Sequence, residues 1–135
     1  MKVYFAGSIT GGMEFAKQYE QLNDFLKTKA IVLTEHLGSG KISDQGEQLE
    51  ADYIFKRDTD WIKESDLLIA EVSTPSLGVG YEIALAEQVG TPIVCLYNKK
   101  SLKRLSGMIR GNKKITLIYY ETIEEAIQEL KKVLA

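Results

Sequence analysis

The stretch Asp66-Leu-Leu-Ile-Ala-Glu-Val72, then Ser73-Thr-Pro-Ser-Leu-Gly78, then Val79-Gly-Tyr-Glu-Ile-Ala-Leu-Ala-Glu-Gln-Val89 reads as strand, turn and helix. The Leu67 to Ala70 run is apolar without alternation, which suits a strand buried on both faces. Pro75 marks the turn, and helical patterning resumes at about Val79. The same order recurs on both sides. Lys2 to Ala6 reads as a strand, Gly7 to Gly12 as a glycine-rich turn, and Met13 to Lys29 as a helix with Phe15, Tyr19, Leu22, Phe25 and Leu26 near one face. Ala30 to Thr34 is a second short strand, and Glu35 to Gln45 a loop. Gly46 to Glu64 reads as a helix broken near Asp58. After Val89 come a strand over Pro92 to Tyr97, a short helix over Ser101 to Ile109, a strand over Lys114 to Tyr120 and a helix over Thr122 to Leu134. Short apolar runs separated by helices imply parallel strands joined by crossovers. The expected fold is α/β: a doubly wound, Rossmann- or flavodoxin-like five-stranded parallel sheet with helices on both faces, one domain over residues 1–135. Ligands of such sheets bind beyond the carboxyl ends of the strands, near the point where strand order reverses. That points to Gly7–Met13, Glu35–His36 and Ser73–Glu82.

Composition narrows the function classes. The 135 residues are 44% hydrophobic and 27% charged, with a formal net charge of −2. This balance gives no broad basic footprint for nucleic acid. No apolar run approaches the roughly 18 residues that a membrane span requires, and the amino terminus runs straight into the first strand with no separate signal peptide. The single cysteine, Cys95, excludes an internal disulfide and a multi-cysteine zinc site. A cytoplasmic location is expected. One histidine among scattered acids argues against a metal site, and no cofactor is expected.

Gly7-Ser-Ile-Thr-Gly-Gly12 lets backbone amides approach a phosphate or sugar. The dinucleotide pattern Gly-x-Gly-x-x-Gly is absent, and an ordinary tight turn uses the same residues. Leu37-Gly-Ser-Gly-Lys41 lacks both the earlier glycine and the following Ser or Thr of a phosphate loop, so an ATPase or kinase is rejected. Glu82 is expected in the first turn of its helix, where the dipole favours a carboxylate able to act as nucleophile. The plainer reading is a charge that merely complements the dipole. Ser76, with the amides of Gly78 and Gly80, suits an anionic group. Asp58 and Asp60 precede the third strand. Placed near Glu82, such a carboxyl would have its pKa raised by the like charge, and one group ionised beside one protonated is what glycosidic cleavage requires; a solvated helix face is the commoner fate of such acids. Tyr19 sits at core spacing. His36 follows the second strand and suits a base, or a satisfied loop position. Cys95 lies in an apolar strand and reads as buried. Lys99, Lys100, Lys103 and Arg104 form a local basic cluster.

Taken together, these segments resemble the 2′-deoxynucleoside 5′-phosphate N-hydrolase branch of the nucleoside 2-deoxyribosyltransferase family. The resemblance covers nearly the whole chain. It rests on Tyr4-Phe-Ala-Gly-Ser-Ile-Thr-Gly-Gly12, Leu33-Thr-Glu-His36, Arg57-Asp58 with Trp61, Ala70-Glu-Val72, Pro75-Ser-Leu-Gly-Val-Gly-Tyr-Glu82 and Leu105-Ser-Gly-Met-Ile-Arg-Gly111. It implies that Glu82 is the nucleophile, Asp58 the acid for the leaving base, and Tyr4 the residue that orients the nucleophile. Ser76 falls where relatives acting on unphosphorylated nucleosides have an aspartate. A hydroxyl there donates to a phosphate that a carboxylate would repel. The resemblance further implies substrate contacts from Gly7, Ser8, Ile9, Thr10, Gly11, Gly12, Met13, Tyr19, His36 and Gly78. It implies a homodimer in which Ser106, with Gly107 and Met108, completes the neighbour's site. Thr10 departs from the pattern, since mammalian-type members have arginine there; a lysine of the 99–104 cluster is a candidate replacement.

The expected activity is hydrolysis of the N-glycosidic bond of 2′-deoxynucleoside 5′-monophosphates, through a covalent glycosyl-Glu82. Two enzymatic alternatives stay open: deoxyribosyl transfer between bases, and cleavage of ribonucleotides of the cytidine monophosphate type. A nucleotide-sensing module without chemistry is the alternative from another class. It needs neither nucleophile nor acid.

Overall fold

The computed structural model describes residues 1–8, 15–34 and 50–135. Ile9, Thr10, Gly11, Gly12, Met13 and His36 lie outside the described residues, as does the 37–41 segment. Five strands, β1 (Lys2–Gly7), β2 (Ile31–Leu33), β3 (Leu67–Glu71), β4 (Ile93–Asn98) and β5 (Ile115–Tyr120), form one all-parallel sheet in the order β2-β1-β3-β4-β5. The helices are α1 (Ala16–Lys27), α2 (Ala51–Glu64), α3 (Leu77–Val89), α4 (Gly107–Arg110) and α5 (Ile123–Leu134). The chain moves outward from β1 to β2, then crosses back to β3 on the other side of β1. This reversal puts the switch point between β1 and β3, as the doubly wound expectation requires.

The alternation of side chains along each strand divides the core. Val3, Phe5, Leu67, Ile69, Val94, Leu96 and Ile118 pack with Leu22 and Leu26 of α1 and Ala126 and Leu130 of α5. Tyr4, Ala6, Leu68, Ala70, Ile93, Cys95 and Ile115 face the other way, against Ile62 of α2 and Val79, Ile83 and Ala86 of α3. β3 is buried along its whole length, as its unbroken apolar run predicts. Cys95 is buried too, and burial together with the nearby Glu71 pushes its thiol up to about 12.

Three differences from expectation bear on the site, each with a local reason. α2 runs unbroken through Asp58; it contains no Gly or Pro, and Asp58 turns inward beside Ile62. α3 begins at Leu77 rather than Val79, because the Ser76 hydroxyl accepts the Val79 amide at 3.2 Å and caps the helix earlier. α4 holds only Gly107–Arg110 instead of 101–109. The residues ahead of it are tied down by side chains: Ser101 Oγ donates to Ser73 O at 2.6 Å, and Tyr97 Oη donates to Lys103 O at 2.5 Å.

Candidate active site

The site is built from β1, α2 and the β3–α3 turn. Tyr4 is fully buried on β1, facing α3. Its hydroxyl donates to Glu82 Oε2. Glu82 is itself buried, at 7% exposure. The earlier start of α3 moves Glu82 from the expected first turn into the second. Dipole stabilisation fades within the first turn, whereas the phenol bonds one oxygen of this carboxylate directly. Burial and a place in the second turn weigh against the plainer reading of Glu82, a charge that merely complements the dipole.

The two acids read together in the sequence separate in space. Asp60 is exposed and pairs with Lys56 at 2.7 Å, a hydrogen bond that holds its carboxyl below the usual range. Asp58 is buried at 6% exposure. Arg57 Nε donates to Asp58 Oδ1 at 2.9 Å, and the guanidinium lies 4.7 Å from the Trp61 ring and 5.9 Å from the Tyr53 ring. Asp58 and Glu82 thus come from α2 and α3, helices packed directly on each other. Phe55 and Tyr81 meet edge to face at 6.1 Å across the same seam. In the sequence, Arg57 and Trp61 stand out only as parts of a motif. A cation on an aromatic face beside a buried acid is a pattern visible only once the helix is formed.

A cavity of about 810 Å³ opens along the other side of α3. Ser76, Gly80, Ala84 and Glu87 mark its α3 wall, with Arg104, Ser106 and Met108 opposite. Tyr4, Glu82, Asp58, Gly78 and Gly107 do not line it. Helical spacing explains the split: 78, 82 and 85 share one stripe of α3, while 76, 80, 84 and 87 share another. The structure therefore brings Ser76 together with Ser106 and Met108, and Tyr4 together with Glu82, on two sides of one helix. Ser76 accepts from Val79 N and Ser106 from Met108 N, each at 3.2 Å, which leaves each hydroxyl proton available to an acceptor. Ser8 follows β1, and its hydroxyl donates to Pro75 O at 3.3 Å, joining the two turns at the switch point.

Tyr19 belongs to the core. It is 1% exposed, stacks on Phe5 at 4.2 Å, and its hydroxyl pairs with Phe5 O at 2.9 Å and Thr34 Oγ1 at 2.6 Å. The core-packing reading of Tyr19 fits these contacts. Gly7 answers to the same ring, since a Cβ there would run into Tyr19. Among the described residues no three His, Cys, Asp or Glu side chains gather as metal ligands, and no helix is long and apolar enough to cross a membrane.

Comparison with known proteins supplies independent findings. The family model described as nucleoside 2-deoxyribosyltransferase matches residues 3–132. A Syntrophotalea carbinolica protein provisionally named 2′-deoxynucleoside 5′-phosphate N-hydrolase 1 is 44% identical over 135 residues, covering 100% of this chain and 95% of its own. A Tetraodon nigroviridis protein named 5-hydroxymethyl-dUMP N-hydrolase is 47% identical over 113 residues, covering 82% and 80%. The solved structure of the Clostridium botulinum CMP N-glycosidase BcmB superposes with a TM-score of 0.68 at 28% identity, covering 97% of this chain and 99% of that one.

Proposed function

Because the chain belongs to the nucleoside 2-deoxyribosyltransferase family, we propose that it hydrolyses 2′-deoxynucleoside 5′-monophosphates to 2-deoxyribose 5-phosphate and a free base. The observation that carries this reading is the buried hydrogen bond from Tyr4 to Glu82 beside the switch point. A sensing module needs no aimed carboxylate, and a dipole-complementing glutamate needs no buried phenol. Glu82 attacks C1′ of the sugar while the bond to the base breaks. Asp58 gives its proton to the departing base. Asp58 then takes a proton from water, the water oxygen attacks C1′, and the carboxylate of Glu82 is released. Tyr4 donates to the oxygen of Glu82 that is not attacking, and a donor of this kind favours the ionised form.

Ser76, at the start of α3, donates to the 5′-phosphate, and the names of the relatives fit a phosphorylated substrate. Gly7, Ser8, Ile9, Thr10, Gly11, Gly12, Met13, His36 and Gly78 join the substrate site on the strength of the family resemblance. The protein acts as a cytoplasmic homodimer of one-domain subunits, with Ser106, Gly107 and Met108 completing the neighbour's site. One observation favours that arrangement: Leu77 and Met108 on the cavity wall are 97% and 83% exposed, an apolar surface suited to a partner.

The likeness to a CMP N-glycosidase favours ribonucleotide cleavage as the second reading. A chromatographic assay of base release, run on deoxy- and ribonucleoside monophosphates with and without an added free base, decides among these. The proposal predicts free base from deoxynucleotides and no exchanged nucleotide. Exchange identifies a transferase, faster ribonucleotide cleavage identifies the second reading, and binding without base release identifies a sensor.

A further inference from the structure

A second buried polar cluster lies beyond the sheet's other face and takes no part in the chemistry above. Glu71, in the apolar run of β3, is 4% exposed. Its Oε1 accepts the Ser73 amide at 2.6 Å. Its Oε2 accepts the Ser73 hydroxyl at 3.0 Å and the Tyr120 hydroxyl from β5. The Ser73 hydroxyl accepts the Asn98 amide of β4 at 2.8 Å, and the Ser73 carbonyl accepts Ser101 Oγ at 2.6 Å. Every polar group of Ser73 is thereby engaged. Three residues on lies Ser76, with the stiff Pro75 between them. From Ser101 the chain is pinned again, since Lys103 N donates to Ser101 Oγ at 3.2 Å, and it leads directly to Ser106.

We propose that Glu71, Ser73 and Tyr120 are positioning residues for the substrate's 5′-phosphate: they fix the Ser76 turn of one site and the segment carrying Ser106 through a single node, Ser73. The inference rests on the nucleotide-hydrolase reading. Glutamine keeps the size of Glu71 and one acceptor oxygen for the Ser73 amide, so it is the mildest replacement. Burial and the adjacent Glu71 push the Tyr120 hydroxyl up as well, which keeps it a donor.

The test compares wild type with Ser73→Ala, Glu71→Leu and Glu71→Gln, using a deoxynucleoside 5′-monophosphate and the matching unphosphorylated deoxynucleoside. Ser73→Ala and Glu71→Leu are expected to raise KM for the nucleotide about tenfold, with kcat within about twofold and KM for the nucleoside unchanged. Glu71→Gln is expected to keep the wild-type preference for the phosphate. Should Glu71→Leu not fold, Ser73→Ala alone carries the comparison. Equal losses on both substrates, or a lowered Tm with the phosphate preference intact, overturn the proposal while the enzymatic reading stands. A wild type that never prefers the phosphorylated substrate overturns that reading and the proposal with it.

Discussion

Tyr4 illustrates how one residue converts a strand position into chemistry. Strand alternation turns it toward α3, and burial then obliges its hydroxyl to find a partner. That partner is Glu82. Hydrogen bonds to charged groups are worth about 1.5–3 kcal/mol. Tyr4→Phe keeps the ring and loses only the donor, so kcat for base release is expected to fall roughly ten- to hundredfold, at about 1.4 kcal/mol per factor of ten. Steady-state kinetics with a deoxynucleotide check this, and an unchanged kcat removes Tyr4 from the machinery. Glu82, Tyr4 and Asp58 are all named from ordered motif blocks of the resemblance rather than from residue type. Asp58 could not be told from Asp60 by residue type, since only the rotation of α2 buries one and exposes the other. Glu71 closes β3, and its partners come from sequence positions as far away as Tyr120, which no local pattern reveals.

At the scale of elements, β1 and α1 are locked by the Tyr19 ring over Gly7. Adding a methyl group there forces the ring or the strand to shift. Gly7→Ala is expected to cost about 1–3 kcal/mol, as overpacking of a filled core does, and chemical denaturation measures it. A wild-type midpoint would mean that the ring is free to move aside. The C-cap of α3 makes a different use of glycine: Gly90 adopts φ +85°, a left-handed conformation that ends the helix before β4. Element order and sheet topology were readable because the apolar runs, crossovers and turn residues agree with one another. Helix starts were less readable. The α3 boundary depends on a serine hydroxyl that caps two residues earlier than the apolar pattern suggests, and α4 shrinks because side-chain hydrogen bonds hold the 101–105 segment out of a helix.

For the whole molecule, the buried acid Glu71 links stability to pH. Its carboxyl is raised in the folded state, chiefly by burial. The folded chain therefore holds a proton that the unfolded chain gives up above its ordinary carboxyl range. The contribution to stability is complete below that range and is lost as pH rises through the folded value. Glu71→Gln carries no such proton. Its stability relative to wild type is expected to improve as pH rises above the ordinary carboxyl range, read by urea unfolding at each pH, and a constant difference contradicts the account. The central claim is chemical, however, and one measurement reaches it most directly. Wild type mixed with a deoxynucleoside 5′-monophosphate, quenched within a turnover and mapped by mass spectrometry, is expected to carry the mass of a dehydrated deoxyribose 5-phosphate on Glu82, with Glu82→Ala folded, unlabelled and inactive. A label on another residue, or base release at the wild-type rate from Glu82→Ala, contradicts it.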